Sequence, residues 1–332
     1  MLKKLLSTLL ALSILLLPVC ALAYDSYPVN LAGVDMKAGD YLHVGAESTT
    51  DHAPTDGTGY AHLSASGAVL TLHNFDNQGK AKVYKIATSD NAALIARSNL
   101  RLKLEGTNTL TNSNDKGEGI NNSYYLTIDG GASDSLTIEA QTGIWLGAVT
   151  IDGGKISITS EYASLNGLSS FEMNGGSLSA TATGELSSAI NAHYCTINGG
   201  RLVLSGTRCA ILCLYSAAIN GGVLDLSAKN DCIVRAEKNV TCALALPDGV
   251  TVHPFGGYYD GTILDRSEID FRNYDEYNPR TIHLPYAPVP VPEPGAAVPP
   301  ATGDSTPVAL LAALAALSAA GCLWLTTRKR CA

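Results

Sequence analysis

The chain has 332 residues, of which 46% are hydrophobic and only 16% charged. So low a charged share, against about 25% in ordinary proteins, excludes a disordered chain, a coiled coil or a charged helical bundle. Twenty-two basic against thirty acidic residues give a net charge of −8, which argues against a nucleic-acid binder with its basic patch. The first 23 residues carry Lys3 and Lys4, an apolar core from Leu9 to Leu17, and the small-x-small site Ala21-Leu22-Ala23. This is the pattern of a secretory signal peptide cut after Ala23. Cys20 sits where a lipoprotein signal would place its cysteine, but Leu17-Pro18-Val19 is a poor lipobox. The mature chain is expected to start at Tyr24, with residues 24–58 as an irregular N-terminal cap.

A repeat follows. The blocks TIDGG (127–131), TIDGG (150–154), EMNGG (172–176), TINGG (196–200) and AINGG (218–222) start 23, 22, 24 and 22 residues apart. Each is followed by an alternating pair: Leu136/Ile138, Ile156/Ile158, Leu178/Ala180, Leu202/Leu204 and Leu224/Leu226. A looser third series runs Ile95, Ile120, Ile144, Leu165, Ile190, Ile211 and Ile233. Three short strands per repeat, separated by Gly, Asn and Asp, predict an all-β, right-handed parallel β-helix of about seven turns over residues 59–265. One turn cannot bury its own apolar face, whereas stacked turns bury a continuous column of Ile, Leu and Val. At the corners, Asp129, Asp152, Asn174, Asn198 and Asn220 are expected to stack on one edge and bond backbone amides from turn to turn. The alternative is a divalent-cation site at Asp129 and Asp152, since stacked carboxylates repel without a cation.

The C-terminal part reads as a flank (266–283), a linker (284–302) and a sorting region (303–332). The linker holds seven of the 14 prolines and favours a semi-rigid polyproline II spacer. Residues 308–327 carry no charge and precede Arg328-Lys329-Arg330. Twenty apolar residues can cross the roughly 30 Å bilayer core as a helix, with the basic tail inside. Together with Pro299-Pro300-Ala301-Thr302-Gly303, this arrangement resembles the sortase sorting signal of Gram-positive surface proteins. That motif is Leu-Pro-x-Thr-Gly, with Pro299 here in place of the leucine. The resemblance implies cleavage between Thr302 and Gly303 and transfer of Thr302 to peptidoglycan; a plain membrane anchor is the alternative. With Lys3, Lys4, Asp304, Arg328, Lys329 and Arg330 removed, seventeen basic and twenty-nine acidic residues remain, a net charge of about −12.

The segments Gly59–Phe75 (GYAHLSASGAVLTLHNF), Leu100–Leu110 (LRLKLEGTNTL) and Pro247–Gly261 (PDGVTVHPFGGYYDG), with the repeated corners, extend this reading. The region from about Val29 to Leu264 resembles a family of secreted bacterial carbohydrate-binding β-helix proteins with a pectin-lyase-like fold. The resemblance implies a plant cell-wall glycan as ligand, pectic or cellulose-like, and bound calcium. A galacturonate polymer would be repelled by so acidic a chain unless calcium bridged the two.

Catalytic signatures are missing. None of the Asn-Thr-Asp, Asp-Asp, His-Gly and Arg-Ile-Lys segments of polygalacturonase-type hydrolases occurs, nor do Gly-x-Ser-x-Gly or His-Glu-x-x-His. A lyase needs a base beside acids. Arg208 and Arg235 can approach each other if their turns stack, while Glu118, Glu161, Glu172 and Glu185 occupy different offsets in the repeat. The seven histidines are scattered and read as surface or capping residues. Mature Cys195, Cys209, Cys213, Cys232 and Cys242 are odd in number, so not all can pair internally. Cys209 and Cys232 lie one repeat apart, in an apolar core ladder or, alternatively, a bridge. Exposed aromatic rings are candidate sugar contacts: Tyr124, Tyr125, Tyr194 and Tyr215, two or three residues before a corner block, and Trp145. The alternative is scattered tyrosines on a solvent face. The expected protein is therefore a secreted, wall-anchored, non-enzymatic polysaccharide binder, with a polysaccharide lyase or a non-glycan adhesin or stalk as rivals.

Overall fold

In the computed structural model the described residues are 28–81, 91–247, 250–259, 262–271 and 280–285. The signal segment with Ala21 and Ala23, the sorting motif from Pro299 to Gly303 and the apolar stretch 308–327 lie outside them. Among the described residues there is no helix, hence none long and apolar enough to cross a membrane.

The strands wind into a β-solenoid of about seven turns, each passing through three parallel ladders. In the first ladder, Leu102, Ile128, Ile151, Met173, Ile197, Ile219 and Cys242 follow one another in register. In the second, Leu136, Ile156, Leu178, Leu202 and Leu224 do the same, two residues ahead of Ile138, Ile158, Ala180, Leu204 and Leu226. These side chains are buried apart from the partly covered Cys242, and their neighbours along each strand face outward. Period-two alternation thus places one apolar column per inward position. In the third ladder the paired residues are Leu94, Ile120, Ile144, Leu165, Ile190, Ile211 and Val234. The expected members Ile95 and Ile233 are each one residue off: Ile95 pairs with Asn121 and Ile233 precedes the strand Val234–Ala236. Register shifts occur in the middle of the solenoid, at Ala140/Thr142, Leu165/Leu168 and Ala192/Tyr194. Here the walls also come close together. A Cβ placed on Gly143 would lie 2.3 Å from the Ser164 carbonyl oxygen and 2.3 Å from Ile158 Cγ2, and one on Gly119 would lie 2.2 Å from Ile138 Cγ2.

Both ends are closed by antiparallel strands. At the start, Val29–Leu31 pairs with Ala92–Ala96, and Tyr41–His43, Tyr60–Leu63 and Val69–His73 form a meander whose last strand joins the first ladder. Asn77 extends the second ladder with its side chain: its amide donates to the Thr111 carbonyl and accepts from the Thr111 N–H, both at 2.7 Å. At the finish, the hairpin of Val250–Tyr259 and Thr262–Phe271 lies against Val234–Ala236, and Arg280–Leu284 lies against Val223–Ala228. Arg235, only 7% exposed, crosses this join. Its guanidinium bonds Asp231 at 2.6 and 2.7 Å and Glu268 of the closing hairpin at 3.0 Å.

The corner blocks follow from backbone geometry. Gly154, Gly176, Gly200 and Gly222 have φ between 72° and 99°, the left-handed region that side chains disfavour. At the first corner, Asp134 accepts from the Gly106 and Gly131 N–H groups at 2.8 and 2.7 Å. These bonds hold its carboxyl below the usual range. A folded-state value below the unfolded one adds stability above about pH 4, which is lost as pH falls through the folded value. Melting temperature should therefore decline less between pH 5 and pH 2 in Asp134→Asn than in the parent; equal slopes would remove Asp134 from the acid response.

Candidate functional site

The sequence predicts corner side chains that bond backbone amides from turn to turn; they bond one another instead, in an amide ladder. Asn174 donates to Asp152 Oδ1 at 3.0 Å, Asn198 to Asn174 Oδ1 at 2.9 Å and Asn220 to Asn198 Oδ1 at 2.9 Å. An amide both donates and accepts, so it can repeat indefinitely where a carboxylate cannot. Asp129 is ion-paired with Arg101, whose charge is also favoured by Asp152. Arg101 thus supplies the positive charge facing Asp129, while Asp152 accepts from Asn174.

Tyr194 and Tyr215 come together, and a β-bulge is the reason. Between paired positions Ala192↔Cys213 and Tyr194↔Ser216, the strand Ile211–Ile219 holds one residue more than its neighbour. The extra residue carries Tyr215 beside Tyr194, as bulges re-aim side chains. Their rings stack 5.1 Å apart at 24°. His193 meets Tyr215 edge-on at 5.7 Å, and Lys238 Nζ lies 4.7 Å over the Tyr215 ring. Tyr194 remains 49% exposed.

Tyr124 and Tyr125, 50% and 68% exposed, are not part of that stack. Tyr125 pairs with Ala148, Ala148 with Ser170 and Ser170 with Tyr194. The two exposed tyrosines therefore stand three rungs apart, roughly 14 Å at the usual strand spacing. The residues between them on this face are Ala148, only 8% exposed, and Ser170. Trp145 is half-buried on the third ladder, paired with Asn121 and Asn166.

A groove of about 400 Å³ opens beside the second ladder on neighbouring turns, lined by Thr111, Glu139, Gln141, Thr159, Glu161 and Thr183 among others. Gln141 Nε2 donates to Glu161 at 3.3 Å. Of the four glutamates considered from sequence, only Glu161 lies here. Glu118 is buried and accepts from Asn121 at 2.7 Å, and Glu172 accepts from Asn198 at 3.1 Å. Arg208 and Arg235 do converge, but on Asp231, so neither is placed as a free base.

The histidines are less scattered than their numbering implies. His62 stacks on Tyr41 at 4.1 Å and His73 on Tyr60 at 5.0 Å, across the N-terminal meander, while His43 meets His52 edge-on at 6.1 Å. Alternation in Tyr41–His43 and Tyr60–Leu63 was the available signal, since it puts these rings on one side of the sheet.

Residues 126–232 match the model of a family described as carbohydrate-binding domain-containing protein. The matched stretch includes Tyr194, Tyr215 and most of the groove. It supports carbohydrate binding in general. Neither a curated protein nor a solved structure matches this chain.

Proposed function

We propose that this protein is a non-catalytic polysaccharide binder whose site is the outer face carrying the Tyr194–Tyr215 stack, with Tyr125 three rungs away. The observation that carries the reading is the exposed Tyr194–Tyr215 stack inside the matched stretch. A pyranose ring has an apolar C–H face that packs on an aromatic ring, and its hydroxyls bond polar groups at the margin. Rings held by mutual stacking lose little freedom when a ligand arrives. Tyr125, three rungs away on the same face, is a second exposed ring that a longer sugar chain can reach.

The ligand class is plant cell-wall polysaccharide, pectic or cellulose-like. If it is polygalacturonate, calcium bridges polymer and protein, because both are anionic. Secretion, sortase attachment through Thr302 and display on a Gram-positive cell wall complete the reading; the Pro-rich segment would hold the solenoid away from its anchor. A lyase is the less favoured reading, with Arg208 and Arg235 both committed to Asp231.

The test is retention of the full chain on insoluble and soluble plant polysaccharides, with calcium and with chelator. Binding without release of unsaturated oligosaccharides is the expected result. Tyr194→Ala with Tyr215→Ala should weaken it about fivefold to 150-fold, since losing two stacked rings removes on the order of 1–3 kcal/mol. Retention on no glycan would leave an adhesin or a stalk.

A further inference from the structure

Cys209 and Cys232 stand apart from the proposed binding surface. They lie one full turn from each other, directly before paired positions of the third ladder: Ala210 and Ile211 donate to the Ile233 carbonyl, and Ile211 pairs with Val234. Both are buried, and their sulfurs are 3.5 Å apart. Residues on adjacent rungs have Cα atoms about 4.8 Å apart, inside the range that a disulfide spans. We propose that Cys209 and Cys232 are a modification site, oxidised to a disulfide that staples the last turn of the solenoid to the one before it.

The position explains the need. A terminal turn has a stacked repeat on one side only; here the other side rests on closing strands from outside the repeat. This turn also carries the closing hairpin through Arg235 and Glu268. Cross-linking one full turn of chain restricts the unfolded ensemble, an effect that favours the folded state.

The chemistry is a two-step exchange with a disulfide-bearing oxidant, such as a dithiol oxidoreductase outside the cell or oxidised glutathione in vitro. One cysteine thiolate attacks the oxidant's disulfide, forming a mixed disulfide and expelling one thiolate. The second cysteine then attacks the mixed disulfide, the protein S–S bond forms, and the other thiolate leaves. The oxidant takes two electrons, and the two thiol protons end on its leaving sulfurs. Cys209 beside it and burial push the Cys232 thiol far up, so thiolate is scarce once the turn has closed. The bond therefore forms while the turn is folding, and afterwards it is shielded from reductants.

Two other arrangements compete. Asp231 lies with the two sulfurs in a cluster within 4.8 Å, a candidate metal site. Its carboxylate, however, already takes two bonds from Arg235 and faces Arg208 at 3.6 Å. Cys195 lies close enough to Cys213 to push that thiol up, but the two do not share a rung, since Cys213 pairs with Ala192 and Cys195 with Ala217.

The test uses the full chain folded in a glutathione redox buffer, then unfolded in denaturant and alkylated without reduction, and digested with trypsin after the denaturant is diluted. Cleavage after Arg208, Lys229 and Arg235 gives fragments 209–229 and 230–235. The expected product is these two fragments joined, in the parent and in Cys213→Ser, and separate in Cys209→Ser. Oxidised and reduced parent should differ by roughly 6–12 °C in melting temperature. Alkyl label on both Cys209 and Cys232, a link through Cys213 or Cys195 instead, or zinc bound stoichiometrically with both thiols free would each overturn the proposal. The fragment readout on the parent does not depend on any variant folding.

Discussion

Arg235→Ala should lower stability by about 3–5 kcal/mol, the usual cost of breaking a buried ion pair from one side. Burial alone would discourage the Arg235 charge; facing Cys232, Asp231 and Glu268 more than offset that and hold the guanidinium above its ordinary range. Without it, Glu268, 6% exposed on the closing hairpin, loses its bonds at 3.0 and 3.4 Å. The double variant Arg235→Met with Glu268→Leu should recover much of the loss, because a well-packed apolar pair can replace a buried ion pair at little net cost. Chemical denaturation of the single and double variants measures this. Equal losses in both would mean that packing around the join, and not charge pairing, holds the hairpin.

Gly143→Val should prevent folding or cost more than about 3 kcal/mol. The new side chain would start 2.3 Å from the Ser164 carbonyl oxygen and from Ile158 Cγ2. Backbone cannot step aside in a stack where every turn is fixed by two others, so overpacking reaches the upper end of its usual range. Ser164, one turn on, offers the control. Ser164→Ala keeps a Cβ where one already fits and removes only the 3.1 Å contact with the Ser160 hydroxyl. Its expected loss is about 1 kcal/mol. Similar melting temperatures for Gly143→Val and the parent would show that the ladders can spread at this point.

The second ladder was the most legible part of the chain. Leu136, Ile156, Leu178, Leu202 and Leu224 follow the corner blocks at nearly constant distance, and the structure pairs them in register. Gly–Gly corners fix that distance. The third ladder differs by one residue from the expected series at its two ends only: Leu94-Ile95 and Ile233-Val234 are adjacent apolar pairs, all four residues buried, so residue type did not say which of each pair takes the ladder position. The closing strands have no repeat to announce them, because each pairs antiparallel with a different part of the solenoid. At the candidate site the ring types were visible, but their grouping was not. Tyr194 lies two residues before its corner block and Tyr215 three; only the extra residue in Ile211–Ile219 reconciles these offsets. Arg101 beside Asp129 and the rings of the N-terminal meander depend on pairings between strands of unlike sequence, which periodicity does not reveal.

The antiparallel strands at both ends also decide how molecules of this protein meet. A stack of identical parallel rungs is a template: its last rung offers unpaired amides and carbonyls in the register that the next rung of any other copy would need. Val29–Leu31 at one end, and Thr262–Phe271 with Arg280–Leu284 at the other, occupy rungs of that template in the opposite chain direction. A copy arriving in the parallel sense finds those positions already paired. Growth by end-on addition into a fibre is thereby blocked on the covered rungs, and the rod keeps the length that its own repeats give it.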